Sequence, residues 1–151
     1  MKYLIAYYSR GGHNLQIAKE LKTLLKADIE EIIDLKPKNI FISIWQSLTK
    51  QTTEIKEIKN NPKKYDITIL ITPIWAGSLP PATRTYLKNY LQNFKKLSLL
   101  SVSGQGSKNI NYIDKLEQEY SVKISPRLLI SDYELKTGNY KNKLLQFAQI
   151  N

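Results

Sequence analysis

The sequence contains no cysteine and a single histidine, His13, among its 151 residues. The absence of cysteine excludes disulfides, thiolate metal sites, iron–sulfur clusters and cysteine nucleophiles. One histidine leaves too few nitrogen ligands for a typical transition-metal site, so we expect no bound metal. We therefore expect the chemistry of this protein to depend on backbone groups, other side chains or a bound cofactor.

Long apolar runs are also missing. No stretch approaches the ~20 apolar residues that cross a bilayer, and residues 1–9 lack the hydrophobic core and cleavage site of a signal peptide. The length fits one domain, and no linker-like or repeated segment divides it. We therefore expect a single domain over residues 1–151, located in the cytoplasm and without a membrane partner.

Acidic side chains are scarce, since 13 Asp and Glu face 23 Lys and Arg, and the formal net charge is +10. Only Arg10, Arg84 and Arg127 are arginines, so the planar guanidinium groups that usually read phosphates and base edges are few. Aromatic residues are not interleaved with the lysines. We therefore expect no nucleic-acid partner, and we expect protein partners to present acidic docking surfaces.

Strands rich in β-branched residues alternate with amphipathic helices along the chain. Strands are predicted at 2–8, 28–33, 66–72, 97–103 and 122–130, and helices at 13–26, 81–93, 109–120 and 138–149, with an irregular-to-helical stretch at 38–52. This alternation predicts an α/β fold with a parallel sheet, helices on both faces and right-handed crossovers. Within 38–52, Phe41, Ile44, Trp45 and Leu48 have helical spacing, so we expect Trp45 in the core.

A polar, glycine-containing loop follows the first strand and leads into a helix. Its residues are Ser9, Arg10, Gly11, Gly12, His13 and Asn14. Adjacent glycines let backbone N–H groups approach a ligand closely, and the helix start adds partial positive charge, which suits a phosphate. Ordinary turn and capping chemistry would also explain this loop. The ligand-binding interpretation of this loop is strengthened by two other loops that are predicted at the same edge of the sheet.

The second loop follows the third strand and contains a tryptophan held between prolines and a glycine. Its candidate ligand-binding residues are Pro73, Ile74, Trp75, Ala76 and Gly77. A flat side chain here can form a wall for a planar ligand, or it can cap the core beneath the loop. The third loop follows the fourth strand with Ser103, Gly104, Gln105 and Gly106, which are small or polar.

Together these loops resemble those of short-chain flavodoxins, and the likeness covers the whole chain. Ser9 and Gly12 match the phosphate-loop pattern of that family, whereas Gly11 and Asn14 replace hydroxyl residues. The stretch from Pro73 to Gly77 resembles the loop that borders the flavin ring in the family. Residues 103–106 align with the third loop but lack its stacking tyrosine.

The resemblance implies a doubly wound, five-stranded parallel sheet of order 2-1-3-4-5 that holds flavin mononucleotide (FMN). It further implies that Trp75 covers one face of the ring and that the Ala76–Gly77 peptide turns a carbonyl toward the flavin N5 on reduction. Loops 9–14 and 103–106 would then contact the phosphate and the ring edge. No catalytic side chain is assigned, because FMN itself performs the redox chemistry.

Three functions remain open on the sequence. The leading one is an FMN-binding electron-transfer protein that exchanges electrons with an acidic redox partner, as a monomer or homodimer. The second is an FMN-dependent NAD(P)H quinone or flavin reductase, because the missing tyrosine leaves room above the ring. The third is a binding module that has the fold without the flavin.

Overall fold

The structure, a computed structural model, describes residues 1–104 and 110–151. All five strands are parallel and lie in the order β2-β1-β3-β4-β5, which confirms the predicted sheet. The strands are β1 (Tyr3–Tyr7), β2 (Asp28–Glu31), β3 (Ile67–Ile71), β4 (Leu97–Ser103) and β5 (Ile124–Ser131). The predicted segments begin or end within one or two residues of these bounds, and at 97–103 the bounds agree.

The central strands are buried on both faces, as parallel strands between two helical layers must be. Every residue of β3 and β4 is buried. Isoleucine and leucine occupy four of the five positions of β3, where alternate side chains reach the two layers of core. Parallel pairing places the carboxyl ends of all five strands at the same edge of the sheet, which is where the three candidate loops begin.

Helices cover both faces of the sheet. They are α1 (His13–Leu25), α2 (Ile40–Leu48), α3 (Pro81–Tyr90), α4 (Ile110–Tyr120), α5 (Asp132–Thr137) and α6 (Lys141–Ile150). Helices α1 and α6 pack in one core layer, and α3 and α4 pack in the other. Across the two described ranges, no helix has the length and apolar character needed to cross a membrane.

The carboxyl-terminal part of the chain differs from the prediction of one helix over 138–149. Two helices occur there, and Gly138 separates them with a φ of 78° at the end of α5. Helix α5 begins with a capping box, in which the Ser131 hydroxyl accepts from the Glu134 N–H at 3.1 Å and the Glu134 carboxylate accepts from the Ser131 N–H at 2.8 Å. This reciprocal cap starts a helix immediately after β5.

The prediction that Trp45 lies in the core was wrong. Trp45 is 58% exposed and Phe41 is 81% exposed, whereas the buried residues of α2 are Ser43 and Ser47. The Ser47 carbonyl accepts a hydrogen bond from the Ser78 hydroxyl at 2.7 Å. Helical spacing of apolar residues identifies a face but not its direction, and here polar contacts turn the serine face inward.

We expect Ser131→Ala to lower the free energy of unfolding by about 1 kcal/mol, because the mutation removes the capping oxygen of α5. Urea denaturation followed by circular dichroism measures the change. Thr23→Ala on α1 is the control, since the Thr23 hydroxyl is exposed and, among the described residues, bonds only to the Lys19 carbonyl of its own helix. Equal losses in the two variants would contradict the assigned role of the cap.

Candidate functional site

The first and second loops meet the end of β4 in a cleft of about 240 Å³ at the carboxyl edge of the sheet. The cleft is lined by Ser9, Arg10, Gly11, His13, Asn14, Pro73, Ile74, Trp75, Val102, Ser103, Gly104 and Asp132. Of the predicted site residues, Gly12, Ala76 and Gly77 are described but do not line it. Gln105 and Gly106 lie outside the described residues. The structure thus brings most of the predicted residues of the three loops together.

The backbone of the first loop has open space beside it at Gly11 and Gly12. Gly12 has a φ of 87° and precedes α1, and its N–H donates to the Ser9 hydroxyl at 3.1 Å. No side chain from the described residues caps the first turn of α1. A Cβ built on Gly11 or Gly12 would meet no heavy atom of the described residues within 4 Å. The first-turn N–H groups therefore form a positively polarised seat for an anion.

Two polar side chains of this loop, Asn14 and Arg10, already have protein partners. The Asn14 side chain is buried, and its Nδ2 donates to the Tyr8 carbonyl at 3.1 Å, while its Oδ1 has no partner among the described residues. Arg10 reaches toward α2, where Nη1 donates to the Ser43 hydroxyl at 3.0 Å and Nη2 donates to the Lys38 carbonyl. Arg10 therefore joins the rim of the cleft to α2.

A contact between a histidine and an aspartate lies on the opposite rim. His13 Nδ1 is 3.6 Å from Asp132 Oδ1, and both side chains are about half exposed. His13 belongs to the first turn of α1 and Asp132 to the first turn of α5. The contact therefore connects the anion seat to the end of β5. Its exposure limits its contribution to stability.

The other wall of the cleft is apolar. Trp75 is half-buried and packs edge-on against Tyr8, with ring centroids 5.9 Å apart and an interplanar angle of 71°. Ile74 lies beside it and is buried. Burial raises the pKa of Tyr8, the charge of Asp34 raises it further, and Arg10 opposes these effects. Tyr8 therefore stays neutral at physiological pH and supports the indole as a packing surface.

A tight two-residue turn holds Trp75 in place. Trp75 and Ser78 exchange both backbone hydrogen bonds at 2.9 Å, and the intervening Ala76 and Gly77 have φ values of 49° and 72°. Two consecutive positive φ angles are those of a type I′ turn. Ala76 is a strained residue in this position, whereas Gly77 is not. The exposed tip of the turn lies just outside the cleft.

A buried polar network supports this turn from behind. Arg84, which is 3% exposed, donates from Nη2 to the Ser78 hydroxyl at 3.1 Å and from Nη1 to Glu119 at 2.6 Å. The Tyr112 hydroxyl accepts from the Leu79 N–H at 2.8 Å. Burial opposes the charge of Glu119, but its hydrogen bond to Lys50 and the charge of Arg84 lower its pKa overall. The network therefore fixes the backbone on the carboxyl side of Trp75.

Sequence reasoning missed Val102 and Asp132 as members of the cleft. Val102 is in the buried end of β4, and its type carries no functional signal. Asp132 directly follows β5, at the same edge as the other loops. That placement was hidden because the last helix was predicted to begin at 138 rather than at Asp132. Within residues 1–104 and 110–151, no group of three or more His, Asp or Glu side chains could hold a metal ion.

No protein-family model matches this chain, and no curated protein matches it. Solved structures are similar over nearly the whole length. An apo-form flavoprotein from Lactobacillus acidophilus has a TM-score of 0.69 at 20% identity, covering 89% of this chain and 95% of that one. The flavoprotein from that organism in complex with FMN has a TM-score of 0.63 at 19% identity, covering 90% and 97%.

A third similar structure is the Fusobacterium nucleatum flavodoxin bound to FMN, with a TM-score of 0.59 at 16% identity, covering 99% of this chain and 96% of that one. The chain has the flavodoxin-like fold. At these identities the likeness concerns the fold alone. In the flavodoxin-like fold of this chain, the cleft lies at the carboxyl edge where the strand order reverses between β1 and β3.

We expect Arg84→Met to lower the free energy of unfolding by about 1–3 kcal/mol, because buried partners lose a charged donor. Urea denaturation measures the loss. The same substitution at Arg127, whose ion pairs with Asp114 and Glu117 are more exposed, should cost less than about 1 kcal/mol. An equal or larger loss at Arg127 would contradict the role given to the Arg84 network.

The cost of Arg84→Met should also depend on pH. Because the folded state lowers the pKa of Glu119, its ionic contribution is present above the ordinary carboxyl range and is lost as pH falls through that range. The difference in free energy of unfolding between wild type and variant should therefore narrow below about pH 4. A difference that stays constant from pH 7 to pH 3 would contradict this.

Proposed function

We propose that the chain binds FMN and transfers electrons between protein partners. The observation that carries this proposal is one cleft with an anion seat at one end and an apolar, tryptophan-lined wall at the other. A phosphate-bearing cofactor with a planar ring needs both features in one place. The solved structures with this fold that contain FMN support the same cofactor.

The residues present fit this cofactor. The open space beside Gly11 and Gly12, with the uncapped first turn of α1, would accept the phosphate. Ser9 accepts from the Gly12 N–H, so its own hydroxyl hydrogen can still be donated to a phosphate oxygen. Backbone groups therefore replace the hydroxyl side chains that this loop lacks. Arg10 and Asn14 contribute by holding the loop in shape through their protein contacts.

The ring would lie against Ile74 and Trp75, with Ser103 and Gly104 near its edge. Gln105 and Gly106 follow directly in sequence and belong to the same proposed site. Bound FMN supplies one- and two-electron redox chemistry. The chain orients the cofactor and keeps water from the face that Trp75 covers. The Ala76–Gly77 peptide, at the exposed tip of its turn, is the group that we propose to reorient with the redox state.

The shape of the cleft favours an electron carrier over a reductase. Its volume of about 240 Å³, as formed by the described residues, is below the ~300–1,000 Å³ of typical small-molecule pockets. A bound flavin would therefore extend beyond it and leave an edge in solvent. An exposed ring edge suits electron transfer to another protein.

We expect Gly11→Val to raise the Kd for FMN at least tenfold while leaving the stability of the apoprotein within about 0.5 kcal/mol of wild type. The added side chain enters the open space at the anion seat and meets no described atom. Fluorescence quenching of FMN measures the affinity. Gly138→Ala is the matched control, because its φ of 78° should cost stability without changing FMN affinity. Unchanged FMN affinity in Gly11→Val would contradict the proposed seat.

We expect Trp75→Ala to weaken FMN binding and to increase the fluorescence of the bound flavin, because the quenching indole is removed from the cleft wall. Trp45→Ala serves as the control, since Trp45 does not line the cleft. The visible spectrum of the purified protein and an FMN titration measure both effects. Equal effects of the two substitutions, or a colourless protein that does not respond to FMN, would overturn the proposed function.

Steady-state oxidation of NADH or NADPH by the purified holoprotein separates a carrier from a reductase. We expect no turnover with a quinone or free flavin as acceptor unless a separate reductase is added. Turnover by the holoprotein alone would instead assign it as an FMN-dependent NAD(P)H oxidoreductase.

A further inference from the structure

Helix α2 carries its apolar side chains on the surface of the protein. Phe41, Trp45 and Leu48 are 81%, 58% and 55% exposed, and they follow one another at i, i+4 and i+7. Ile40 and Ile42 beside them are also exposed. We call these five residues the α2 patch. Single exposed apolar residues are common, but five on one nine-residue helix form a contiguous surface of the kind that marks an interaction site.

The orientation of this helix is fixed by hydrogen bonds on its opposite side. Ser47 donates to the Ser43 carbonyl at 2.7 Å, and its own carbonyl accepts from Ser78. The Ser43 hydroxyl accepts from Arg10 at 3.0 Å. Rolling the helix to bury Trp45 would break the bonds from Arg10 and Ser78, which lie outside α2, and would remove the acceptor of the buried Ser78 hydroxyl. The Ser47–Ser43 bond is internal to the helix and would move with it. The hydrogen bonds of α2 to Arg10 and Ser78 therefore keep the α2 patch exposed in the folded state.

The same contacts place the α2 patch beside the cleft. Arg10 lines the cleft and bonds to Ser43 and to the carbonyl of Lys38, just before α2. Ser78, which bonds to Ser47, closes the turn that holds Trp75. A protein seated on α2 would therefore approach the Arg10 rim and the Trp75 wall of the cleft in the proposed function, on which this inference rests.

Charge identifies the kind of partner. Between Asp34 and Glu54 the only charged residues are Lys36, Lys38 and Lys50. Lys36 pairs with Glu54 and Lys50 pairs with Glu119, whereas Lys38 forms no ion pair with any residue in 1–104 or 110–151. Arg10 adds a further positive charge at the cleft rim. The whole chain carries a formal net charge of +10, so long-range attraction favours a negatively charged protein.

A second copy of this chain fits less well. Two copies would each carry the +10 charge, and a two-fold contact through α2 would bring the same lysines toward each other. We propose that the α2 patch is the docking surface for an acidic redox partner, whose apolar contact centre covers Phe41 and Trp45 and whose carboxylates face Lys38. This arrangement of an apolar centre and a charged rim is usual for protein interfaces.

The test uses the holoprotein and an acidic plant-type [2Fe–2S] ferredoxin as the probe. Calorimetry gives the Kd, and stopped-flow absorbance gives the second-order rate of electron exchange. We expect Phe41→Gln/Trp45→Gln to weaken binding and slow exchange at least tenfold. We expect Lys38→Glu to slow exchange and to reduce its dependence on salt. The matched control is Leu24→Gln/Leu145→Gln, which removes two half-exposed leucines from α1 and α6 and should change neither quantity more than twofold.

Each other result overturns the docking proposal. Equal losses in the α2 and control variants, or no measurable ferredoxin binding by wild type, would do so. A wild-type dimer that becomes monomeric in Phe41→Gln/Trp45→Gln would assign the α2 patch to a second copy. Flotation with phosphatidylserine vesicles that is lost in this variant, with unchanged ferredoxin affinity, would assign it to a lipid surface.

The calorimetric measurement needs no flavin, so the two proposals fail in different ways. A colourless protein that still binds ferredoxin through the α2 patch would remove the FMN function and keep the docking surface. A yellow protein whose ferredoxin affinity is unaffected by Phe41→Gln/Trp45→Gln would keep the FMN function and remove the docking surface. The visible spectrum of each variant must match wild type for its exchange rate to be compared.

Discussion

The carboxyl edge of the sheet, where the cleft lies, depends on the hydrogen bonds of the Ser78 hydroxyl. This hydroxyl donates to the Ser47 carbonyl of α2 and accepts from the buried Arg84 guanidinium. One small side chain thus connects α2, the turn that holds Trp75, and the charged network behind it. An apolar residue at this position would leave Arg84 with an unmatched donor in a site where water cannot replace it.

These hydrogen bonds also explain why the sheet alone does not make the site. Parallel pairing brings the strand ends to one edge, but it does not determine how Trp75 lies or which side of α2 faces inward. The first is set by a turn with two positive φ angles, supported by Arg84 and Tyr112. The second is set by serines that bond to neighbouring loops. The sheet determines where the loops lie, and the buried polar contacts determine how Trp75 and α2 are oriented.

The features that could be predicted from the sequence divide in the same way, into position and orientation. The parallel sheet, the helical layers and the meeting of loops 9–14 and 73–77 were predictable, because alternating patterns and glycine-rich loops are local signals. The strand order was implied only by the resemblance to short-chain flavodoxins. The outward face of α2 was not predictable, because its direction depends on Arg10 and Ser78, which are distant in sequence. Asp132 was missed for a different reason, since the capping box of Ser131 and Glu134 that begins α5 is a local signal and was not recognised.

The exposed aromatic helix has a consequence for the free protein in solution. A patch of this kind on a neutral molecule would promote non-specific clustering at high concentration. The excess of lysine works against that outcome, because copies that each carry a formal charge of +10 repel one another before their apolar surfaces can touch. The basic composition therefore opposes self-association through the exposed apolar patch. This effect weakens as salt screens the repulsion between copies.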